Sequence, residues 1–369
     1  MNASPITIAV TGLHRGDNPQ PGGAVIRSLR RKFQDLRIIG LSYDPLESGL
    51  YSAEMDQLDA AYSLPFPGNG IPPLKERLET IFQSEKIDMI IPCLDSEIEN
   101  FISLIPYLRE RGVQTMLPSH QSIKLRSKPE LAQFCNDNHF PCPQTKTCAD
   151  IYSLLEAAEE LTYPLFIKGK FYEGHLVNSV VELRHVADEL LKMWGGPLLA
   201  QEAIVGEEYC YTGIGDGRGN IQSHCSIRKM LVTKTGKGFA GIVINDPDLD
   251  RLVERIVKEL AWNGPFEMEF IKPANGQHKL IEINPRFPAW IDFPSQLGCN
   301  MPAQLIEMRL NNTTTKLPLC EPGKMFIRHS IDVVGDIAEL AEMATKGVWC
   351  ARHSYSDTEL TYSETEVTK

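Results

Sequence analysis

Short apolar runs alternate with amphipathic helical patterns in the first part of the chain. The pattern predicts strands at 6–10, 37–41 and 88–93 and helices at 24–33 and 99–111. A strand, a glycine-containing turn, a helix and a second strand, in that order, are typical of the opening of a doubly wound α/β domain. The connection at 11–23 is long and lacks a GxGxxG fingerprint, so it does not by itself indicate a nicotinamide site.

Prolines interrupt the chain between this region and a smaller unit. Pro129, Pro141 and Pro143 surround a helical pattern at 130–138, and such a stretch is typical of a hinge. The next patterns predict helices at 151–160 and 181–194 and strands at 163–168 and 198–204. These elements indicate a small α/β unit.

Longer segments with alternating apolar and polar residues begin near residue 206. They predict strands at 209–215, 221–228, 265–271 and 279–284, with helices at 248–261 and 336–344. The glycine-rich stretch at 215–220 and the Asn275–Gly276 pair are typical of hairpin turns. The segment Ser354–Lys369 is rich in Ser, Thr and Glu, which is the composition of a mobile tail.

The segment Leu280–Phe287 contains the most informative group of polar side chains. Successive strand residues point to opposite faces of a sheet. The predicted apolar face holds Ile281 and Ile283, and the polar face holds Glu282, Asn284 and Arg286. Carboxylate and amide oxygens suit Mg²⁺, and a guanidinium suits phosphate. The segment therefore predicts a surface that binds a magnesium–nucleotide complex.

A second acidic segment, Phe266–Phe270, precedes it and places Glu267 and Glu269 on one face. If the two segments pair, Glu269 lies beside Glu282. Carboxylates at that distance repel each other unless a cation neutralises them, and a divalent cation bridging phosphates would do so. The alternative is an ordinary solvated polar face, which Asn and Pro disfavour because both weaken a strand.

Three further features are compatible with nucleotide binding, and each also has a structural explanation. Lys168 ends an apolar strand and opens a glycine-containing loop, although a surface lysine also fits that position. The segment Gln201–Ile204, followed by Gly206 and Glu208, suits contacts with adenine and ribose. A basic cluster suits a triphosphate or a carboxylate substrate, or is simply an exposed hairpin, and consists of His224, Arg228, Lys229, Lys234 and Lys237.

Composition narrows the class of protein. With 369 residues, the chain is long enough for two or three packed units. Its net charge of -11 argues against a general role on nucleic acids or membrane surfaces. We find no apolar run of the roughly 18 residues that a membrane span needs and no secretory signal. The nine cysteines lack a CxxC pair, so we expect reduced thiols in a cytoplasmic protein.

Over about residues 5–310 the sequence resembles the ATP-grasp superfamily, specifically the branch related to carbamoyl-phosphate synthase and biotin carboxylase. The order and spacing of four segments carry the resemblance, namely Tyr163–Lys168, Gln201–Glu208, Gly264–Phe270 and Leu280–Phe287. The last segment, with its Glu-Ile-Asn-Pro-Arg core, is the most specific of them.

The resemblance implies an ATP-grasp fold of mixed α/β and α+β class with a Rossmann-like pre-ATP-grasp domain at the N-terminus. ATP would lie between a lid and a larger subdomain. The implied units are the pre-ATP-grasp domain at 1–120, a hinge at 121–147, the lid at 148–205, the α+β subdomain at 206–330 and an extension at 331–369.

The resemblance also implies roles for single residues. The metal ligands would be Glu269, Glu282 and Asn284, holding Mg²⁺ or alternatively Mn²⁺, and Arg286 would stabilise the transferring phosphoryl group. The nucleotide contacts would be Lys168 and Lys128 at the phosphates, Glu202, Ala203 and Ile204 at adenine, and Glu208 at ribose. Arg228 or Lys229 would contact the γ-phosphate or an acyl phosphate.

Two segments depart from the family pattern. The lid loop Lys168–His175 contains less glycine than usual, so fewer backbone amides are expected to contact phosphate. After Arg286 the usual glycine-rich continuation is replaced by Phe287–Asp292, and Trp290 there predicts a distinct acceptor pocket. We expect substrate selection to depend on this segment, on the 12–23 loop, and on Asp95 and Glu97.

Together these features predict an ATP- and Mg²⁺-dependent carboxylate–amine ligase that acts through an acyl phosphate and releases ADP and phosphate. The expected substrates are a carboxylate and an amine, each a small molecule or a peptide, and the expected assembly includes a homodimer. The alternatives are a carboxylase or carbamoyl-phosphate-type enzyme that uses bicarbonate, a non-catalytic nucleotide-binding regulator, and a dehydrogenase that uses the N-terminal loop.

Overall fold

The structure, a computed structural model, describes residues 5–14, 16, 19–52, 57–169, 174–233, 236, 238–274 and 276–350. Its first part is a mostly parallel sheet flanked by helices. The elements are β1 (Thr7–Val10), α1 (Gly22–Lys32), β2 (Arg37–Ser42), β3 (Ala60–Ser63), α2 (Ile71–Ser84), β4 (Met89–Ile91), α3 (Asp95–Glu110), α4 (His120–Leu125) and α5 (Lys128–Asp137). The strand order β3-β2-β1-β4 is that of a doubly wound sheet, as predicted.

Helix α3 begins at Asp95, four residues before the predicted start. The carboxylate of Glu97 accepts hydrogen bonds from the backbone N–H groups of Cys93 and Leu94, both at 2.9 Å. Acidic side chains in the first turn also interact favourably with the helix dipole. Asp95 and Glu97 therefore belong to the helix and not to the loop before it.

The middle of the chain forms an antiparallel sheet in the order β5-β8-β6-β7, covered by two helices. The elements are β5 (Thr145–Cys148), α6 (Ile151–Leu161), β6 (Leu165–Lys168), β7 (Gly174–Val177), α7 (Val180–Trp194) and β8 (Leu198–Glu202). Its core, which includes Leu154, Ile167 and Leu183, is a separate cluster. A small unit with its own core can move relative to the rest of the chain.

A larger antiparallel sheet follows, in the order β13-β12-β9-β10-β11-β14. Its elements are β9 (Glu207–Asp216), β10 (Ile221–Val232), β11 (Gly238–Val243), α8 (Pro247–Glu259), β12 (Asn263–Lys272), β13 (Lys279–Asn284), α9 (Asp292–Gln296), α10 (Met301–Leu310) and β14 (Met325–Ile327). One apolar cluster joins this sheet and α8 to the helices on one face of the first sheet. The two large sheets therefore share their hydrophobic core.

The end of the described chain returns to the first sheet. After α11 (Ile337–Lys346), the short strand β15 (Val348–Cys350) pairs antiparallel with β3. Trp349 is 8% exposed and packs into the cluster that also contains α1. The sequence pattern did not predict this strand. Among the described residues, no helix combines the length and apolar character that a membrane span requires.

Candidate active site

The two acidic strands pair as predicted. Strands β12 and β13 are antiparallel, with Glu269 directly opposite Glu282 and Glu267 opposite Asn284. Residues directly opposite one another in an antiparallel pair have Cβ atoms about 4.5–5.5 Å apart. The pairing therefore gathers three carboxylates and an amide on one face of the sheet.

One detail of the predicted alternation is wrong. The register shifts between Glu269 and Phe270, so that Phe270 faces Leu280 and Ile281 is the extra residue on β13. Leu280 and Ile283 are buried in the core, whereas Ile281, predicted on the core face, is half-buried. Such a β-bulge changes which side chains share a face. It leaves Glu282 and Asn284 on the polar side.

Glu267 also lies on this face, although the sequence analysis gave it no role. It is 6% exposed, and its carboxylate accepts hydrogen bonds from Asn284 Nδ2 at 3.3 Å and Trp290 Nε1 at 2.8 Å. Asn284 Nδ2 also donates to Glu269 Oε1 at 3.3 Å, which leaves its Oδ1 as the atom suited to a cation. The shared face of Glu267 and Glu269 was the available sequence signal.

The carboxylates on this face repel one another, so a nearby positive charge is favourable. Burial raises the pKa of Glu282, and the negative charges of Glu269 and Asp95 raise it further. Burial and the charge of Glu269 likewise raise the pKa of Glu267. A cation between these groups would relieve the repulsion, so the donor set fits Mg²⁺.

The described residues contain no group of three or more His, Cys, Asp or Glu side chains arranged to hold a metal by themselves. Mg²⁺ in a nucleotide site usually needs fewer protein ligands than that. It takes one or two carboxylates from the protein and completes its octahedron with phosphates and water.

Arg286 lies at the end of this face and is held by two acids. Its Nε donates to Asp95 Oδ2 at 2.6 Å, and its Nη1 lies 3.5 Å from Glu267 Oε2. Burial opposes the charge, but Asp95 and Glu267 raise the pKa of Arg286 above its ordinary value. The guanidinium is therefore a fixed, permanently charged group. Arg126 holds Asp95 from its other side, with Nη1 3.0 Å from Oδ1.

The structure distinguishes the two candidate cations on β10. Lys229 Nζ donates to Glu208 Oε2 at 2.9 Å and to Glu269 Oε2 at 2.7 Å, and its side chain is 4% exposed. Arg228 points to the other face and pairs with Glu207. Burial opposes the charge on Lys229, but Cys210 and the two carboxylates raise its pKa. Lys229 is thus the member of this pair that faces the acidic cluster.

The rest of the predicted basic cluster does not converge there. His224 stacks on Tyr211 with ring centroids 4.9 Å apart and lies 3.7 Å from Asp250. Burial lowers the pKa of His224. Lys234 and Lys237 lie outside the described residues.

A further cation, Arg328, was missed. It follows β14 at the far edge of the sheet, and its backbone N–H bonds to Phe239 O at 3.0 Å. Burial lowers the pKa of Arg328, while the charge of Glu267 acts in the opposite direction. No sequence motif marked this residue, because β14 reaches the sheet only through the tertiary fold.

Lys168 ends β6 as predicted, and its Nζ donates to Gln201 Oε1 at 2.6 Å. Burial lowers its pKa to about 8, and the positive charge of Lys128 adds to this shift. Burial lowers the pKa of Lys128 as well, opposed by Glu282. The two lysines and Glu282 are therefore electrostatic neighbours, and the lid sheet lies close to the acidic face. Within the lid loop, residues 170–173 lie outside the described residues.

The predicted adenine segment lies at the end of β8. Glu202 closes the strand, and its carboxylate accepts from Lys279 Nζ at 3.1 Å and from the backbone N–H of Gln144 at 3.1 Å. Ala203 and Ile204 follow and are half-buried. Through these bonds, Glu202 links the end of β8 to β13 and to the residue before β5. Because its side chain is occupied, the backbone of Ala203 and Ile204 is the part of this segment available to a base.

The predicted acceptor pocket at Trp290 is wrong. Trp290 is 6% exposed and stacks on Phe326 with centroids 6.3 Å apart. Asp292 faces away from the acidic cluster and pairs with Arg31 of α1, at 2.8 Å. The Trp290 indole therefore hydrogen-bonds the Glu267 carboxylate, and the ion pair of Asp292 with Arg31 joins this segment to the first domain.

Asp95 and Glu97, at the start of α3, were predicted to help select the substrate, but both side chains are engaged in contacts within the protein. Asp95 is the partner of Arg286 and Arg126. Glu97 is fully buried, and its carboxylate accepts hydrogen bonds from the hydroxyls of Thr11 and Tyr43. Burial raises the pKa of Glu97. A side chain so enclosed stabilises the loop between β1 and α1 and has no surface left for a substrate.

Comparison with known proteins finds distant similarity in sequence and in fold. No family model matches the chain. The carbamoyl phosphate synthase large chain of Methanobrevibacter smithii is 22% identical over 253 residues, which cover 63% of this chain but 23% of that protein. This chain thus spans less than a quarter of the length of that curated relative.

Solved structures cover more of the chain. An L-amino acid ligase from Bacillus licheniformis superposes with a TM-score of 0.62 at 13% identity, over 88% of this chain and 79% of that one. The biotin carboxylase domain dimer of the Hydrogenobacter thermophilus 2-oxoglutarate carboxylase, described with MgADP, ADP and bicarbonate, gives 0.62 at 19% identity, over 82% and 68%.

The chain therefore has the ATP-grasp fold, the fold that ligases and carboxylases dependent on ATP share. In sequence it is distantly similar to the carbamoyl phosphate synthase large chain, and in structure to the biotin carboxylase domain.

Proposed function

We propose that this protein is an ATP- and Mg²⁺-dependent carboxylate–amine ligase. The observation that carries the proposal is the convergence of Glu269, Glu282 and Asn284 with Arg286 on one face of the β12–β13 pair. That face has the ligands for a divalent cation beside a fixed guanidinium. Phosphoryl transfer needs both, because its catalysis is mostly positioning and charge stabilisation.

ATP would lie between the lid sheet and the acidic face. Lys168 and Lys128 supply positive charge for the phosphates, and the backbone after Glu202 supplies the edge contact for adenine. Glu208, which Lys229 holds in place at 2.9 Å, is suited to the ribose hydroxyls. When bound to Glu269, Glu282 and Asn284, Mg²⁺ would neutralise the charge of the β- and γ-phosphates.

The chemistry follows from this arrangement. A carboxylate oxygen of the substrate attacks the γ-phosphorus as the bond to ADP breaks, and Arg286 and Lys168 stabilise the charge on the transferring oxygens. The amine then attacks the acyl carbon. A carbon–nitrogen bond forms, the carbon–oxygen bond to phosphate breaks, and the nitrogen loses its proton to solvent. Closure of the lid would protect the acyl phosphate from water.

A screen for ADP release tests the proposal. Purified protein with MgATP is given amino acids, peptides and other carboxylates, singly and in pairs with amines, and ADP and amide products are measured. We expect ADP to form only with the correct carboxylate, and an amide to form only when the amine is added. ADP release that needs no carboxylate, or a carboxylate-dependent product without a carbon–nitrogen bond, contradicts the proposal.

Bicarbonate use is the second candidate, and the comparisons favour keeping it. The matched biotin carboxylase domain is described with bicarbonate, and the matched curated protein is a carbamoyl phosphate synthase. Trp290 is buried, so it gives no evidence for a pocket that would suit only a substrate larger than bicarbonate. Bicarbonate-dependent ADP release, with ¹⁸O passing from bicarbonate into phosphate, would identify this alternative.

A further inference from the structure

Two cysteines lie side by side where α5 leads into the lid. Cys135 is in the last turn of α5 and is 0% exposed, whereas Cys142, in the connection between α5 and β5, is half-buried. Both are free thiols, and the Cys135 thiol donates a hydrogen bond to the sulfur of Cys142. Two thiols this close can form a disulfide with only a small movement of the backbone.

Backbone contacts on both sides hold this connection in place. The backbone N–H of Phe140 donates to Cys135 O at 2.8 Å, and the ring of Phe140 packs on Phe134 with centroids 5.7 Å apart. On the other side, Pro141 O accepts from the backbone N–H of Leu280 on β13 at 2.8 Å. The chain is therefore fixed between α5 and β13, which keeps the two thiols adjacent.

Cys142 is the more reactive of the two thiols. A small oxidant can reach it because it is half-buried, while Cys135 is enclosed. The hydrogen bond from Cys135 lowers the pKa of Cys142, and the charge of Lys279 acts in the same direction, against burial and the charge of Glu202. Oxidation-sensitive cysteines combine thiolate character, access to solvent and a neighbouring thiol. Cys142 has all three features.

The connection also contacts the segment that is predicted to bind adenine. Lys279 Nζ, whose charge acts on Cys142, donates to Glu202 Oε1 at 3.1 Å. Two residues after Cys142, the backbone N–H of Gln144 donates to Glu202 Oε2 at 3.1 Å, and Gln144 O accepts from the backbone N–H of Glu202 at 2.9 Å. A displacement of Cys142 therefore reaches Glu202 through two residues of backbone.

We propose that Cys142 is an oxidation site for hydrogen peroxide and that its disulfide with Cys135 weakens nucleotide binding. The Cys142 thiolate attacks a peroxide oxygen, the O–O bond breaks and hydroxide leaves, which gives a sulfenic acid. The Cys135 sulfur, after losing its proton, attacks the Cys142 sulfur, and the S–O bond breaks as a second hydroxide leaves. The two thiol protons and two hydroxides give two waters, so two thiols are oxidised and one peroxide is reduced. A dithiol reductant reverses the reaction.

The effect on the nucleotide follows from the position of the disulfide. A covalent bond between two sulfurs is shorter than a contact between two thiols, so its formation draws Cys142 towards α5. This movement weakens the hydrogen bonds of Pro141 to β13 and of Gln144 to Glu202, which hold the predicted adenine segment. The effect on MgATP rests on the function proposed above, whereas the oxidation itself does not.

A peptide mass measurement tests the oxidation. Trypsin cuts after Arg126 and Lys146 but not between Lys128 and Pro129, so one peptide, 127–146, contains both cysteines. After treatment with peroxide and alkylation of the remaining thiols, we expect this peptide without alkyl groups and two hydrogens lighter, and dithiothreitol should restore its thiols. It should react at least about tenfold faster than the exposed Cys350 in the same digest. Alkylation of both cysteines after peroxide, or a rate equal to that of Cys350, overturns the proposal.

Single substitutions separate the roles of the two thiols. Cys142→Ser should leave Cys135 reduced, and Cys135→Ser should stop at a sulfenic acid on Cys142, which dimedone labels. The buried Cys148, at the end of β5, provides the matched control Cys148→Ser, which should form the disulfide like wild type. If Cys135 oxidises as readily in Cys142→Ser as in wild type, Cys142 is not the reactive thiol and the proposal fails.

Calorimetric titration with MgATP tests the consequence for the nucleotide. Oxidised wild type should bind MgATP at least about fivefold more weakly than reduced wild type, and dithiothreitol should restore the affinity. Cys142→Ser should bind like reduced wild type with or without peroxide treatment. A disulfide that leaves the affinity unchanged overturns the proposed effect on the nucleotide. If reduced wild type binds no MgATP, the proposed ligase function fails, and the peptide masses still decide whether Cys142 is an oxidation site.

Discussion

Two regions of this molecule contain buried carboxylates, and they differ in whether nearby cations neutralise the negative charge. On the β12–β13 face, Lys229 contacts Glu269 at 2.7 Å, and Arg286 lies 3.5 Å from Glu267. At the end of the first sheet, Glu47 is buried near the carboxylate of Glu97, and its Oε2 has no hydrogen-bond partner among the described residues. The first region supplies several charges to a multivalent ligand. The second leaves one carboxylate oxygen buried without a hydrogen-bond partner among the described residues.

This difference predicts that the two regions respond differently to mutation and to pH. Crowded carboxylates with fixed cations around them suit a metal–phosphate complex, because attraction and repulsion balance only when both partners are present. Glu47 has no such balance, because burial, together with the nearby charge of Glu97, raises its pKa to about 7. Mutations that act on one region and not on the other test this division.

The largest effect is expected at Glu282 and Arg286. Glu282→Gln removes a metal ligand without changing shape, and Arg286→Ala removes the guanidinium; each should lower kcat for ADP formation by about 10²–10³-fold. Initial rates at saturating MgATP measure this. Circular dichroism should show a folded protein in both cases, and wild-type turnover by folded Glu282→Gln would show that the metal assignment is wrong.

A smaller effect is expected at Lys229, for which β10 offers its own control. Lys229→Met leaves Glu208 and Glu269 without the ammonium that joins them, so MgATP affinity and kcat should fall by about 10–100-fold. Arg228→Met, one residue away on the opposite face and paired with Glu207, should change either value by less than about twofold. Equal effects of the two variants would contradict the assignment of Lys229 to the site face.

The pH profile of kcat/KM for ATP reports on Lys168. Its pKa is lowered to about 8, mainly by burial, so the ammonium that would hold phosphate is lost as the pH rises through that value. We therefore expect kcat/KM for MgATP to decrease above about pH 8, because this parameter follows the free enzyme. An arginine stays protonated at this pH, so Lys168→Arg should remove the decrease in kcat/KM above about pH 8. If the decrease persists in Lys168→Arg, it arises from the titration of another group.

The smallest effect is a pH-dependent change in stability at Glu47. The raised pKa means that the folded state holds its proton more tightly than the unfolded state, so wild type loses stability as the pH rises from about 4.5 to 7. The nearby charge of Glu97 contributes to this shift. Glu47→Gln should equal wild type at about pH 5 and exceed it by on the order of 1–3 kcal/mol at about pH 8.

Urea unfolding at the two pH values measures this difference, with Glu99→Gln as the exposed control on α3. A constant offset between Glu47→Gln and wild type across the range would mean that Glu47 does not change its protonation on folding. The contrast between the paired and the unpaired acids would then not hold.

Much of the active-site strand could be predicted because its information is local. The period of two in Leu280–Phe287 and in Phe266–Phe270 fixed which polar side chains share a face, and the structure places Glu269 opposite Glu282 as expected. The resemblance to ATP-grasp proteins, which rests on the same segments, is confirmed at the level of the fold. The roles of the individual residues stay predictions.

The features that sequence reasoning missed depend on how separate elements meet. The bulge at Ile281 is a property of the register between two strands, so the period of one strand cannot reveal it. Trp290 was predicted to face a pocket, but its indole donates to Glu267 inside the core. A bulky side chain after a motif fits either environment until the packing partners are known.

The sequence by itself determined many of the strands and helices, the acidic face of the β12–β13 pair and the resemblance to ATP-grasp proteins, because these follow from local periodicity and from motif order. Only the tertiary structure decided that Lys229 and not Arg228 faces the acids, and that the charge of Glu267 acts on Arg328 at the far edge of the sheet. It alone assembled a cavity beside Glu47, since its wall comes from loops after four different strands. Those loops are far apart in the chain and become neighbours only when the parallel strands align their carboxyl ends at one edge of the sheet.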